Sequence, residues 1–489
     1  MTSDSDGDSG VDSDADSDVD RNGDQRLDFG FPTADRLRAA SGHSLDDLPR
    51  FAVARRERDL ESVDDPHAAG RDAVGNITAF APHDADSDAD ADTGTDADTD
   101  TESPTGEDTL PDGATVAVTA GSRGIHDMPA VLSGIVAELR SRGYEPFVLP
   151  AMGSHGGATA EGQRETLEAL GITEESLGCA IRSSMAVAEV GRDALDRSVY
   201  AAEDALDADA ILLANRVKPH TDFRGSVESG LAKMAVIGLG KHRGAASLHD
   251  AAIATDFAEV IRDRFAVLCA ETPIVGGVAL VENAADRAAH VEGVDADAVL
   301  DREPELLDLA REHFAELPVD DLDFLIVDEL GKDKSGTGMD TNVLGRYDFH
   351  GEAEPERPAV TRVYARSLTA PSHGNAIGMG LADLVHRDLA AAVDFGDTYV
   401  NVVTSGEPRR AKLPLVVPDD ATALVLACAT TGVADASELR VARIPSTMDP
   451  DTLVVSEPVA AELRERDDTT VGPLEPLAFD DGELPADPY

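Results

Sequence analysis

The sequence has no tryptophan, few aromatic residues, three cysteines, and only 41 lysines and arginines against 96 aspartates and glutamates. Each shortage excludes something. Cys179, Cys269 and Cys428 are far apart and form no CxxC pair, so neither a disulfide framework nor a structural zinc site is expected, and a reducing compartment fits. No apolar run is long enough to span a membrane, and no basic-then-apolar signal pattern opens the chain. Arg55-Arg56 echoes a twin-arginine signal, but no apolar stretch follows it. The shortage of cations leaves a formal net charge of −55, which repels nucleic acid and anionic membrane. Acids spread through every segment point to a halophilic cytoplasmic protein, bathed in molar salt that screens charge within roughly 3 Å.

The 489 residues are enough for two or three domains. Segments 1–26 and about 84–110 are Asp-rich and of low complexity, and are expected to be disordered. Between them, LPRFAVARRERDL reads as a strand or an irregular arm. From Ala114 onward, strand-like and helix-like runs alternate. ATVAVTA precedes an amphipathic run from Met128 that stops at Gly143, and EPFVLPA precedes AEGQRETLEALG. Thr159 is the N-cap expected for that second helix, with Gln163 one turn on. AILLANRV then leads to ESGLAKMAVIGLG, which should open as helix.

Strand-loop-helix units in series predict a parallel, Rossmann-like sheet. The texture changes near Thr272. A hairpin is expected over TPIVGGVALVENAADRAAHVEGV, a strand and glycine-rich loop from LDFLIVDEL, and a helix over LADLVHRDLAAAVD. TYVNVVTSGEPRRAKLPLVVPDDATALVLACAT reads as a mixture of strands and a proline-bearing turn. The expected fold is therefore α/β in two domains, 27–271 and 272–473, with an acidic tail over 474–489 and the active site in the cleft between the domains.

Three loops should leave the carboxyl ends of parallel strands, carrying Arg123, His155 and His220. Ligands of open α/β sheets bind along that edge. His155 lies in GSHGG, where glycines leave an imidazole unshielded; the plainer reading is a turn histidine bonded to its own loop. His220 follows Pro219 amid Arg216, Lys218 and Arg224, a set suited to a carboxylate or phosphate; the plainer reading pairs those cations with the abundant acids. Lys233 stands in an apolar run, where a lysine either snorkels or serves as a covalent attachment point.

His242 and His249 are two helical turns apart, each a surface residue or a single metal ligand. Gly238-Leu239-Gly240-Lys241 fails as a phosphate-binding loop. Ala235 stands where the earlier glycine is needed and His242 where Ser or Thr is needed, so Lys241 and His242 read as bystanders. In the second half, Lys332 lies in a flexible loop, Gly331–Gly338, that could cover a crevice and bind substrate, and Ser372–Asn375 is a weaker candidate.

Taken together, SRG at Ser122–Gly124, GSHGG at Gly153–Gly157 and NRVKPHTDFRGSVESGLAKM at Asn215–Met234 resemble the nickel-pincer nucleotide-dependent lactate racemases and their 2-hydroxyacid racemase or epimerase relatives. GLGKHRGA followed by LHD at Leu248–Asp250, DELGKDKSGTGMD at Asp328–Asp340 and SHGNAIGMGLADL at Ser372–Leu384 extend the resemblance. It implies an isomerase in which His155 and His220 are paired acid/bases on opposite faces of a 2-hydroxycarboxylate. Lys233 would hold the pincer cofactor covalently, His249 would be the protein's ligand to nickel, and Ser122 and Arg123 would contact the cofactor. Partners would be the small acid and the enzymes that load the cofactor. TDFRGSVES departs from the family's shorter aromatic and glycine segment, so a larger or differently charged acid is expected, read by Lys218 or Arg224. The rivals are a lysine Schiff-base lyase, a metal-dependent hydrolase, and a non-catalytic binder of small carboxylates.

Overall fold

Strands with apolar residues on both faces need cover on both faces, and among the described residues two large sheets meet that need, each packed between helices; a third sheet is only the two-stranded pair Val187–Arg192 and Ser198–Ala202. A computed structural model describes residues 30–81, 109–122, 124–252 and 256–489, without the side chains of 249–252 and 404. The Asp-rich segments expected at 1–26 and about 84–110 fall outside these residues, apart from the last two positions of the second.

The first sheet runs in the order Glu145–Pro150, Thr115–Ala120, Ala210–Arg216, Ile274–Glu282 and Ala288–Asp295. Its first four strands are parallel, and the last returns antiparallel as a hairpin. Side chains alternate between faces. Ala117, Ile211 and Leu213 pack with Ile261, Phe265 and Leu268 of helix Phe257–Glu271. Val116, Val118 and Leu212 pack with Val131, Leu132 and Ile135 of helix Met128–Ser141.

The second sheet is ordered Leu415–Val417, Leu384–His386, Ala359–Leu368, Asp321–Leu330, Val441–Ile444, Thr452–Ser456, Phe51–Arg56 and Thr469–Val471. It is parallel through Val441–Ile444 and antiparallel beyond. Leu325 and Val327 face one core and Phe324 and Ile326 the other.

The sheets do not divide the chain at Thr272. The hairpin Ile274–Asp295 belongs to the first sheet, and Phe51–Arg56 lies inside the second. Residues 474–489 pack onto the second sheet. Glu475 pairs with the backbone of Phe51, Leu484 is buried, and the Tyr489 hydroxyl donates to Asp328 at 2.8 Å.

Four local expectations are corrected. ATALVLACAT lies in helix Asp420–Thr430, not strand, and Asp419 caps it by accepting the Thr422 N–H. The β-branched run after Asp394 is helix Phe395–Ser405, not strand: Asp394 caps it, Gly406 closes it at φ +81°, and Thr398 and Val402 bury one face. LADLVHRD begins as strand Leu384–His386, and its helix, Arg387–Ala392, starts only where the His386 ring accepts the Asp388 N–H. The segment after Gly230 opens as one α-turn, Leu231–Lys233, then widens to a π-helix over Met234–Leu239 before helix Lys241–Ala252.

Candidate functional site

Three adjacent parallel strands end at one edge of the first sheet, with Ala120 paired to Pro150. Their loops bring Ser122, His155 and His220 to one cavity of about 650 Å³. Lys233 lines the same cavity from the turn after Gly230. The second sheet supplies the facing wall, including Lys332, Asp340 and Thr447. Residues far apart in sequence converge because strand ends of a parallel sheet share an edge.

His155 is exposed and its Nδ1 is hydrogen-bonded to the Ser122 hydroxyl. A hydroxyl can accept from Nδ1–H or donate to bare Nδ1, so this partner serves either tautomer of the ring. The loop reaches this shape through Gly153, Gly156 and Gly157, all with positive φ. At Gly156 a Cβ would stand 2.5 Å from the Gly162 carbonyl carbon, so helix Ala160–Ala169 closes directly on the loop. Thr159 caps that helix as expected, accepting the Gly162 N–H. Gln163 turns inward instead of completing the cap, and its Nε2 donates to Gly153 O and His155 O at 3.0 and 3.4 Å.

His220 is held by its backbone. Glu228, fully buried, accepts the His220 N–H at 2.6 Å and pairs with Arg224 and Arg311. From the second half of the chain, Asn342 donates to His220 O, Thr341 donates to Thr221 O, and Arg410 pairs with Asp222 at 3.1 Å. The ring lies tilted against Phe223 with centres 4.4 Å apart, and its Nδ1 accepts the Asp222 N–H at 3.0 Å. In the neutral ring the proton therefore resides on Nε2.

Lys233 is half-buried, with Nζ 5.6 Å from the Phe223 ring centre. Its turn begins over Glu303, whose carboxyl accepts the Ala232 N–H at 2.9 Å. A Cβ on Gly230 would lie 2.3 Å from that carboxyl, so any other residue there would have to displace Glu303. Burial raises the Glu303 pKa to about 7.

The remaining expected residues divide. Lys218 lines the cavity and faces Asp340 at 3.7 Å. Lys332 lines it too, with Nζ donating to Asn401 and Gly336 O. Arg224 is not among the lining residues: it pairs with Glu228 and lies 4.6 Å from the Tyr347 ring. His242 is exposed on the helix that also carries His249. Arg123 and the side chain of His249 lie outside the described residues.

Four residues around the site carry no sequence signal of their role. Glu228, Glu282 and Glu303 are ordinary letters in an acidic chain. Glu282 lines the cavity, paired with Arg216, and burial pushes its pKa up. Lys241, read as a bystander, is fully buried.

No family model matches the chain, and no curated protein matches it. Among solved structures it is similar to the lactate racemase apoprotein from Thermoanaerobacterium thermosaccharolyticum, at 13% identity, 81% coverage of this chain, 99% of that one, and a TM-score of 0.47. It is also similar to a protein from Thermotoga maritima, at 15% identity, 53% and 67% coverage, and a TM-score of 0.39. Likenesses this distant settle no activity.

Proposed function

We propose that the chain inverts C2 of a 2-hydroxyacid, with a nickel-pincer nucleotide as cofactor. The observation that supports this most is that His155 and His220, from separate strand-end loops, line one cavity with Lys233. Inversion requires proton handling on both sides of the substrate, and two independently held imidazoles supply it. For one direction His155 is the acceptor, because the Ser122 hydroxyl can take Nδ1–H and leave Nε2 bare. His220, with Nδ1 occupied by the Asp222 N–H, offers Nε2–H to the substrate oxygen. For the other direction the pair exchange roles, and His220 gives up that backbone contact. Lys218 and Lys332 would hold the carboxylate, a role supported by their place in the cavity lining.

The residues fit the cofactor. The cavity has room for a nucleotide-sized group beside a small acid. Lys233 would be the covalent anchor, Ser122 and Arg123 would contact the nucleotide, and His249 would be the nickel ligand. Nickel's other ligands would come from the cofactor itself. When bound, that group supplies a reversible hydride acceptor for the C2 hydrogen. Loading enzymes are then necessary partners. The cysteines are free, and among the described residues no helix is long and apolar enough to cross a membrane. We place the protein in the cytoplasm on its cysteine usage and acid-rich composition.

His155→Ala and His220→Ala test the reading. Each should lower C2 inversion by at least about 100-fold, the scale of a lost acid/base, with nickel content unchanged. Full racemisation in either variant would reject the two-base assignment.

A further inference from the structure

Lys241 presents two costs that nothing in the proposed reaction uses. It is fully buried, and it is a non-glycine residue in the left-handed region at φ +51°. Among the described residues its ammonium meets no carboxylate within ion-pair distance; it donates to Pro150 O at 2.5 Å and Gln163 Oε1 at 2.9 Å. Burial lowers its pKa to about 8, opposed only by the more distant charge of Asp204. A buried, strained cation persists where the surrounding structure requires it.

The geometry shows what requires it. Gln163 spends its other end on Gly153 O and His155 O. Three carbonyls of the segment 150–155 thus converge on one two-residue bracket. Its far end, Lys241, opens the helix that carries His249 and follows directly on the π-turn after Lys233. The bracket ties the His155 loop to the start of the helix that carries His249, just past the π-helix that follows Lys233.

We propose that Lys241 and Gln163 are positioning residues, a buried bracket that sets His155 relative to Lys233 and thereby tunes it as an acid/base. The relevance to catalysis rests on the reading above; the positioning does not. Neither residue lines the cavity, so both act through the loop.

The test uses the full-length apoprotein, needing no turnover, and then the cofactor-loaded enzyme. Lys241→Met, Gln163→Met and the double variant are compared by NMR titration of the His155 imidazole, assigned with His155→Gln, and by amide exchange of residues 153–157. The bracket predicts a shifted His155 midpoint and at least tenfold faster exchange in each single variant. The double variant should be no worse than either, because each breaks the same chain. In the loaded enzyme kcat should fall at least tenfold, with KM within twofold and nickel retained. If Lys241→Met does not fold, Gln163→Glu, which keeps an oxygen for Lys241 but loses the amide donor, gives the same readouts. An unchanged His155 titration and unchanged loop exchange in folded variants overturn the bracket, even if the protein racemises. Shifted values in a protein without racemase activity uphold the bracket and reject the functional reading alone.

Discussion

Glu303 accepts the Ala232 N–H one residue before Lys233, and its Oε1 is buried with no hydrogen-bond partner among the described residues. Its pKa of about 7 lies above the ordinary 4.5. A carboxyl raised on folding favours the folded state below the unfolded pKa, and that advantage is lost as pH rises from 4.5 through about 7. At roughly 1.4 kcal/mol per pKa unit, the loss approaches about 3 kcal/mol. Glu303→Gln has nothing to ionise at this position, so its unfolding free energy should fall less steeply across that window than the parent's. Urea titrations at several pH values check this; parallel slopes would count against it. The same residue marks the limit of sequence reading. His155, His220 and Lys233 stand out by type and by glycine or apolar neighbours. Glu303 is one acid among 96, and Lys241 sat in a motif rejected for the wrong chemistry. What distinguishes both is burial, which their neighbours in sequence do not reveal.

Elements were legible where periodicity was strong and ambiguous where composition misled. The first-sheet strands and helix Met128–Ser141 follow their apolar spacing. Tyr399, Val400 and Val403 read as strand, yet they form the exposed face of a helix fixed by its Asp394 cap and Gly406 stop. The GSHGG loop was read for its histidine, but its glycines have separate duties. Gly156 and Gly157 share a left-handed backbone, yet only Gly156 has backbone atoms where a Cβ would go. Gly157→Ala should therefore cost about 1 kcal/mol, for backbone strain alone. Gly156→Ala adds a clash with helix Ala160–Ala169 and should cost clearly more, with loss of activity. Denaturant midpoints of the two variants decide it; equal costs would show that the loop is not pressed against the helix.

At the scale of the molecule, sequence could not say which sheet a strand joins. Phe51–Arg56 carries nothing in its sequence that names a partner, and that partner, Thr452–Ser456, lies about 400 residues away. That long-range pairing weaves the two halves together, and Thr341, Asn342 and Arg410 bind the His220 loop from the second half. The net charge of −55 acts against this closure. Screening shortens from about 8 Å at physiological salt to about 3 Å at 1 M. The melting temperature should therefore rise steadily with potassium chloride into the molar range, and calorimetry showing a fall would contradict adaptation to high salt.

The central claim is that Lys233 carries a nickel-containing cofactor serving the two histidines. Intact mass and metal analysis of protein produced together with the cofactor-making enzymes tests it most directly. The account predicts a covalent adduct mapped to Lys233 with stoichiometric nickel, both lost in Lys233→Ala. An unmodified Lys233 and a nickel-free protein from the same preparation would contradict it.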